Sequence, residues 1–372
     1  MSSNKVISVR QAYQFALDPN RCQDQALWSH AGGRRFAWNW GLCRVREALD
    51  ARAAEKTATG VAVTRVPTAF DLINAWNQIK KTDPRLSWWS ENSTYVYQQA
   101  FRDLEQALRH YWKSRNGERK GRRLGFPKFK KRGRCRDSFR LQGKSLRCED
   151  NTVTLPKLGP IRTHESTRKL SRRLANGTAR ITSATASRTA HRWYVSFAVE
   201  VQRIIPAANG QTATVGVDVG VRHLAVLSTG ELISNPRPLD RSLRKLRRIS
   251  RAYSRTKEGS AGRRETAARL ARTHARVASV RRDVLHKLTT RLATEYGTVV
   301  VEDLNVAGMT RNRRLARAVA DSGMGRGPPH ARLQVRLVRC SFGSGLPLVS
   351  KLQDLFWLRR CENQARLVGA GL

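Results

Sequence analysis

Positive charge is the feature that most restricts how this chain can fold. The sequence has 71 Lys and Arg residues against 28 Asp and Glu residues, so its formal net charge at pH 7 is +43. The cations are spread along the chain, with dense runs at 113–136, 168–173, 241–255 and 263–282. For any one run, a solvated protein surface is as good an explanation as a binding site for nucleic acid. Taken together they predict a polyanionic partner, most simply nucleic acid, bound in a manner that weakens steeply with salt.

Arginine is preferred over lysine in these runs, and its planar group pairs with phosphate through two hydrogen bonds. The residues that we expect to contact nucleic acid are Lys128, Lys130, Lys131, Arg132, Arg244, Arg247, Arg248 and Arg251.

The apolar residues and cysteines exclude several classes of protein. Apolar residues make up 40% of the chain, enough for a core, but no apolar run reaches the ~18 residues of a membrane span. The N-terminus lacks the apolar segment of a secretory signal, so we expect a cytoplasmic, nucleoid-associated protein. The cysteines stand singly, without a CxxC pair, which argues against a standard zinc finger and favours reduced thiols.

Hydrophobic periodicity divides the first half of the chain into segments. A strand is predicted over 6–17, and Asp18-Pro19-Asn20 then ends it and can cap a helix. Residues 21–115 have helical spacing, with Ser93 or Thr94 as a second cap. Their tryptophans are expected in a core rather than on a base-stacking platform. Short strands are predicted at 137–141, 152–158, 179–186 and 192–201.

Apolar strands and arginine-rich helices make up the next part of the chain. Strands are predicted at 213–218, 223–227 and 298–301, and helices at 235–252 and 262–296. The second helix is expected to carry a core stripe of Leu270, Val277, Val280, Val284, Leu288 and Leu292.

Two carboxylates end or interrupt apolar strands: Asp218 in VGVDVGV and Glu302 in VVVEDLNVAGM. Burying an unpaired carboxylate is costly, so each should pair with a cation or bind a hard metal such as Mg²⁺. Two such ions about 4 Å apart can activate water for phosphodiester cleavage. The glycines at 216 and 220 are expected to leave room for a backbone or nucleic acid. Spacing alone favours the simpler alternative, in which each acid pairs with an arginine.

Eight segments follow one another in a specific order between about residues 8 and 325. They are AYQFALDPNRCQDQALWSHAGGRRFAWNWGL, YQQAFRDLEQAL, GFPKFKKRGRCRDSFRL, LPKLGPIRTH, RWYVSF, VGVDVGVRHLAVLSTGE, RRDVLHKLTTRL and VVVEDLNVAGMTRN. Each is weak alone, but the ordered set resembles the OrfB/TnpB proteins of insertion-sequence transposons, which are compact relatives of type V CRISPR effectors.

The resemblance implies a multidomain α+β fold. A β-barrel wedge domain would use residues 1–18 and 119–206, interrupted by a helical recognition domain at 19–118. A RuvC-like, RNase H-type α/β nuclease domain would occupy 212–325, incomplete because it lacks its zinc ribbon and last segment.

The resemblance also implies partners and a site. It implies a guide RNA from the transposon end, a DNA target and no membrane partner, with the target read by base pairing. The family's first two catalytic, metal-binding acids fall on Asp218 and Glu302, and Asp303 competes for the second position. Mg²⁺ or Mn²⁺ is the implied metal, and zinc is expected in the family but has no ligands here.

The family pattern stops after Gly325. Neither the family's four-cysteine zinc ribbon nor its third catalytic Asp is found in 326–372. Residues 347–365 can be encoded by synonymous codons whose translation, shifted by one nucleotide, begins RWFPSSKTCSGCG. That peptide resembles the start of the family's zinc ribbon. We therefore expect a frameshift near 325–328 and an out-of-frame tail. Natural divergence is the alternative, and sequencing the gene distinguishes the two.

The resemblance thus implies a transposase-type, RNA-guided and metal-dependent DNA endonuclease. Cleavage is expected to be impaired, because losing one member of a catalytic set can cost nearly as much as losing all. Losing the ribbon also removes zinc-dependent folding energy. Two alternatives remain open: a non-catalytic RNA- or DNA-binding regulator, and a basic structural protein of the ribosome or chromatin type.

Overall fold

The computed structural model describes residues 5–205, 213–302, 304–324 and 341–343. The chain divides into two compact units. We call Ile7–Arg203 the N-terminal unit, and Met1–Val6 with Ile204–Leu372 the C-terminal unit. Both contain helices and strands, so the mixed α/β class is confirmed.

A seven-stranded sheet and a set of helices make up the N-terminal unit. In chain order the elements are β1 (Lys5–Asp18), α1 (Arg21–Thr59), α2 (Ala69–Thr82), a 3-10 helix (Pro84–Glu91), α3 (Thr94–Arg115), β2 (Ser138–Leu141), β3 (Arg147–Glu149), β4 (Thr152–Leu155), β5 (Gly159–Thr163), α4 (Arg168–Ala175), β6 (Ala179–Thr189) and β7 (Arg192–Ile205). The strand order is β2-β6-β7-β1-β5-β4-β3. The first strand therefore lies in the middle of the sheet, and α1 to α3 are inserted before the second.

Alternation of apolar residues explains why β7 is a strand. Every second residue from Trp193 to Val201 is at most 2% exposed, and the positions between them are more accessible. A period of two places the buried residues on one face. That face belongs to the same core as Leu27 of α1 and Val96 of α3, so the helices cover the sheet.

Local sequence signals fix the start of α1 and its approach to α3. Asn20 Oδ1 accepts the backbone N–H of Gln23 at 2.8 Å, and Gln23 Oε1 accepts that of Asn20 at 3.1 Å, so the predicted cap forms. A Cβ atom at Gly33 or Gly41 would lie 3.1 Å from side chains of α3. Glycine at these positions lets the two helices pack closely, despite its cost within a helix.

Most tryptophans of the inserted helices lie in or against a core, as predicted, whereas Trp112 is exposed. Trp38 and Trp76 are 7% and 1% exposed, and Tyr97 and Phe101 are fully buried in the same cluster. The ring centroids of Trp76 and Tyr97 lie 5.1 Å apart, a tilted contact that adds to the gain from burial. These rings hold the helices together and are not positioned to stack on bases.

His30 joins α1 to the start of α3 inside this unit. It is fully buried, its Nε2 accepts the backbone N–H of Ser93 at 3.2 Å, and its Nδ1 lies 2.8 Å from the Ala26 carbonyl oxygen. Nδ1 therefore carries the proton of the neutral ring. Burial lowers the pKa of His30 from 6.5 to about 4, against the raising effect of the Ala26 hydrogen bond.

This buried histidine predicts a loss of stability in mild acid. The unfolded chain takes up a proton below pH 6.5 and the folded chain does so only near pH 4, so stability falls as the pH drops between these values. Between pH 7.5 and pH 5 we expect His30 to contribute a loss of about 2 kcal/mol. Denaturant unfolding of wild type and His30→Gln at both pH values measures it. Equal pH dependence in the two proteins would contradict the assignment.

The C-terminal unit has a five-stranded sheet and two long helices. Its elements are β8 (Thr214–Asp218), β9 (His223–Leu227), β10 (Leu232–Ser234), α5 (Pro238–Arg255), α6 (Ala261–Glu295), β11 (Thr298–Val301), α7 (Val306–Met309), α8 (Ala316–Ser322) and β12 (Ser341–Gly343). The order is β10-β9-β8-β11-β12, with β8, β9 and β10 antiparallel and β11 parallel to both β8 and β12. The predicted strands and both arginine-rich helices are confirmed.

Some sequence predictions need correction. Val280 was placed in the core stripe of α6, but it is 38% exposed, and Leu285 is buried instead. Helix α4 was not predicted, because its basic run has few apolar residues; Leu170 alone is fully buried there. Of the tail at 326–372, only Ser341–Gly343 is described, as β12. The rest of that prediction lies outside the described residues.

No helix among the described residues is both long and apolar enough to cross a membrane.

Candidate carboxylate site and nucleic-acid interface

Asp218 and Glu302 lie at neighbouring strand ends. Strand β11 runs parallel to β8 with Val301 opposite Val217, and each carboxylate residue comes next along its own strand. Neighbouring strands are about 4.8 Å apart. The register therefore places the two carboxylates at the same edge of the sheet.

The two carboxylates also share a face of the sheet. Val215, Val217 and Val299 belong to the buried core of the unit, and side chains alternate between faces along a strand. Asp218 and Glu302 therefore belong to the opposite face, where Asp218 is half-buried and Glu302 is exposed.

Neither carboxylate is neutralised by a cation of the described residues. Within the described parts of the chain, no ion pair or side-chain hydrogen bond involves Asp218 or Glu302, although arginine is abundant. The alternative in which each acid pairs with an arginine therefore finds no support among these residues. Two carboxylates of like charge at one sheet edge repel each other unless a cation lies between them.

Gly220 closes a turn of the chain itself. A Cβ atom at this position would lie 2.9 Å from the carbonyl oxygen of His223, and the Gly220 N–H donates to the Leu224 carbonyl at 3.4 Å. The expectation that Gly220 leaves room for a backbone or nucleic acid is confirmed for the backbone: glycine is needed because the chain approaches itself after β8.

The donor set fits a magnesium ion with few protein ligands. Mg²⁺ is usually bound by one or two carboxylates, with waters and substrate phosphates completing its octahedron. Asp218 and Glu302 supply two. Among the described residues, no group of three or more His, Cys, Asp or Glu side chains is arranged to hold a metal. Asp303, the competing candidate for the second acid, lies outside the described residues.

Asp321 is a buried carboxylate with a different role, which no local sequence pattern indicates. It is 5% exposed. Its carboxylate accepts the backbone N–H groups of Leu239 at 2.9 Å and Asp240 at 3.1 Å, and it pairs with Arg281 Nη2 at 3.1 Å. Since the N-cap residue Arg237 makes no side-chain cap, Asp321 supplies the missing acceptors from α8. One side chain thus joins α5, α6 and α8.

The outer face of α5 is a cationic stripe. Arg244, Arg247, Arg248 and Arg251 are all exposed, and Leu246 and Ile249 are buried beneath them. These four arginines form no ion pair within the part of the chain that the structure describes. Their predicted contact with nucleic acid stays a prediction.

A second basic surface is the segment 117–136, which we call the strap. Lys128, Lys131 and Arg132 are exposed on it. Lys130 differs, because its ammonium group lies 3.4 Å from the centroid of the Trp38 ring. Burial, with the nearby Arg34 charge, lowers the pKa of Lys130 from 10.5 to about 8. The four predicted strap cations are therefore not equivalent.

Comparison with known proteins identifies relatives over most of the chain. A family profile described as "Probable transposase" matches residues 196–313, and a "Helix-turn-helix domain" profile matches residues 8–53. A protein of Mycobacterium tuberculosis is 38% identical over 328 residues, covering 83% of this chain and 69% of the relative. One from Streptomyces pristinaespiralis is 34% identical, covering 84% and 72%. One from Escherichia coli K12 is 30% identical, covering 81% and 68%. All three are named "Putative RNA-guided DNA endonuclease".

A solved Cas12f1–sgRNA–target DNA complex aligns with 91% of this chain and 89% of its own, at 12% identity and a TM-score of 0.45.

The helix-turn-helix match does not describe the local structure. Residues 8–53 comprise most of β1 and the greater part of the single helix α1, which is unbroken from Arg21 to Thr59. A helix-turn-helix motif would need two helices joined by a short turn. The glycines at 32 and 33 fall within α1, and Gly33 serves the packing of α3 rather than a turn.

Proposed function

The chain belongs to the OrfB/TnpB family of insertion-sequence transposon proteins, and from that membership we propose that it binds a guide RNA and a DNA target. One observation supports the proposal for this chain: Asp218 and Glu302 lie at parallel strand ends, inside the segment matched by the transposase profile, and pair with no cation among the described residues. The exposed arginines of α5 and the exposed cations of the strap supply surfaces for phosphate backbones. Base pairing with the guide would select the target sequence.

The proposal extends to the finer architecture. The sheet of the C-terminal unit, with three antiparallel strands followed by two parallel ones, supports a RuvC-like, RNase H-type domain at 212–325. The central position of β1 in the other sheet supports a wedge domain, made of 1–18 and 119–206, that helices at 19–118 interrupt. The guide would derive from the transposon end, and the complex would associate with the nucleoid.

Asp218 and Glu302 would hold Mg²⁺ or Mn²⁺. When bound, the metal would supply an activated water and stabilise the leaving oxygen of a phosphodiester. The contribution of the chain itself is to hold the two carboxylates in position. Backbone pairing of Asp218 with Val226 in β9 holds the first, and the parallel register with β8 holds the second.

Cleavage by this chain is proposed to be weak. Two carboxylates leave the site one acid short of the family's set, and residues 326–372 contain no CxxC pair. Because members of such a set act together, losing one can approach losing all. A second candidate function follows: an RNA-guided DNA-binding regulator that does not cut. The absence of the family's four-cysteine pattern from the sequence 326–372 motivates it.

Sequencing of co-purifying RNA tests the proposed partner. The chain is expressed together with its native flanking DNA, purified at moderate salt, and its bound RNA is sequenced. One RNA from the adjacent transposon end should be enriched over total cellular RNA. Recovery of RNA in proportion to its cellular abundance would instead indicate a basic structural protein.

Metal binding gives a prediction that does not depend on turnover. We expect Asp218→Asn to lower the affinity for Mn²⁺ about tenfold or more, because it removes one of two carboxylate ligands. Titration followed by electron paramagnetic resonance measures free Mn²⁺. Asp283→Asn is the matched control, since Asp283 is exposed on α6 and pairs only with Lys287 among the described residues. Equal Mn²⁺ affinity in both variants would contradict the site.

A further inference from the structure

The strap is tied to α1 through its own backbone. Asn39 Oδ1 accepts the backbone N–H of Lys130 at 2.7 Å, and Asn39 Nδ2 donates to the carbonyl of the same residue at 3.0 Å. One residue earlier, Trp38 Nε1 donates to the Lys128 carbonyl at 3.1 Å. Two adjacent side chains of one helix thus satisfy three backbone groups of a segment about 90 residues away in sequence.

Aromatic and cationic contacts fasten the strap at further points. The guanidinium carbon of Arg46 lies 4.7 Å from the Phe129 ring centroid and 5.8 Å from that of Phe126. Nearer the start of the strap, Ser114 Oγ accepts the backbone N–H of Leu124 at 2.9 Å. Cation–π contacts of this kind contribute about 0.5–1 kcal/mol at exposed sites. Together these contacts give a segment without regular secondary structure one defined path.

The side chains of the strap divide into two sets. Lys130 turns back onto Trp38, and Arg132 lies 5.3 Å from the Trp28 ring centroid. Lys128 and Lys131 are exposed and form no ion pair with any described residue. The first set contacts aromatic rings of α1, although Arg132 is itself exposed, and the second contacts none and is directed to solvent, where a phosphate can reach it.

We propose that Trp38 and Asn39 are positioning residues for nucleic-acid binding. They hold the strap so that Lys128 and Lys131 contact phosphates, with Lys130 serving as an anchor. This inference rests on the proposed function, because it assumes that the chain binds RNA. The physical basis is preorganisation. A segment already held in its bound path loses less conformational entropy when its partner arrives, and so binds more tightly without making any additional contact.

Preorganisation and direct contact affect the affinity and the salt dependence of binding differently. A lost phosphate contact lowers both the affinity and the salt dependence, because fewer counterions are released. A lost positioning contact lowers the affinity and leaves the number of phosphate contacts unchanged. The slope of log K against log salt therefore separates the two roles.

The test compares RNA binding by the full chain across a salt series, using the RNA that co-purifies with wild type. Asn39→Leu removes both hydrogen bonds at similar volume, and Asn77→Leu is the matched control on α2. We expect Asn39→Leu to weaken binding about tenfold with the slope unchanged. Lys130→Met should behave in the same way. Lys128→Gln and Lys131→Gln should each reduce the slope by about 0.7–0.9.

Limited trypsin digestion supplies a readout of the strap itself. Cleavage after Lys128, Lys131 or Arg132 should be faster in Asn39→Leu than in Asn77→Leu. If Asn39→Leu fails to fold, Arg46→Met tests the same idea, because it removes the contacts to Phe126 and Phe129. Wild-type affinity in both Asn39→Leu and Arg46→Met, or a slope reduced as in Lys128→Gln, would overturn the inference. Absence of RNA binding by wild type would instead overturn the proposed function.

Discussion

Replacing Asp321 by alanine should lower the free energy of unfolding of the C-terminal unit by about 3–5 kcal/mol. The change removes the carboxylate that pairs with the Arg281 guanidinium, whose side chain is only 20% exposed, and leaves that group only the hydrogen bond from its Nε to the backbone carbonyl of residue 321. It also leaves two N–H groups at the start of α5 without an acceptor. An unpaired buried charge is costly, and each unmet hydrogen bond adds to that cost.

Denaturant unfolding measures this loss. Asp283→Ala on α6 is the control, since its ion pair with Lys287 is exposed and should contribute about 0.5 kcal/mol. The double variant Asp321→Ala/Arg281→Met should recover part of the loss, because no charge is then left unpaired. A loss below 1 kcal/mol for Asp321→Ala would show that the carboxylate does not hold α5, α6 and α8 together.

Replacing the four arginines of the α5 stripe by glutamine should weaken RNA binding by about 10²-fold near physiological salt. The residues changed are Arg244, Arg247, Arg248 and Arg251. Each phosphate contact releases about 0.7 counterion on a single strand. Four lost contacts should therefore also reduce the slope of log K against log salt by about 3.

A quadruple lysine variant separates charge from geometry at the same positions. Lysine keeps the charge but not the two-pronged hydrogen bonding of arginine, so the slope should stay near that of wild type and the affinity should fall far less. Wild-type affinity in the glutamine variant would mean that the α5 stripe is only a solvated face. Circular dichroism verifies that α5 remains helical, as the burial of Leu246 and Ile249 leads us to expect.

Sequence patterns predicted the elements whose causes are local. Apolar alternation identified β7, and the Asn20 cap identified the start of α1, because each signal lies within a few residues. The pairing of β11 with β8 then places Asp218 and Glu302, singled out from the sequence, at one sheet edge.

The contacts that the sequence could not predict join residues far apart in the chain. Asp321 accepts hydrogen bonds from residues about 80 positions away. Asn39 meets Lys130 across 91 positions. Neither partner carries a local mark of the pairing. In the sequence, Lys130 does not differ from the other cations of its basic run. Only the structure shows its contact with Trp38. For Gly220 the sequence left open whether a backbone or nucleic acid approaches, and the structure shows that the approaching atom belongs to the backbone of His223.

The most direct test loads the chain with its co-purified RNA and offers two DNA duplexes, one matching the guide and one scrambled. Binding and Mg²⁺-dependent cleavage are followed in the same samples, with Asp218→Ala alongside. We predict tight binding of the matching duplex only, equal in wild type and Asp218→Ala, with little or no cleavage by either. Equal binding of both duplexes would contradict RNA-guided recognition. Robust cleavage that Asp218→Ala abolishes would contradict the proposed loss of activity.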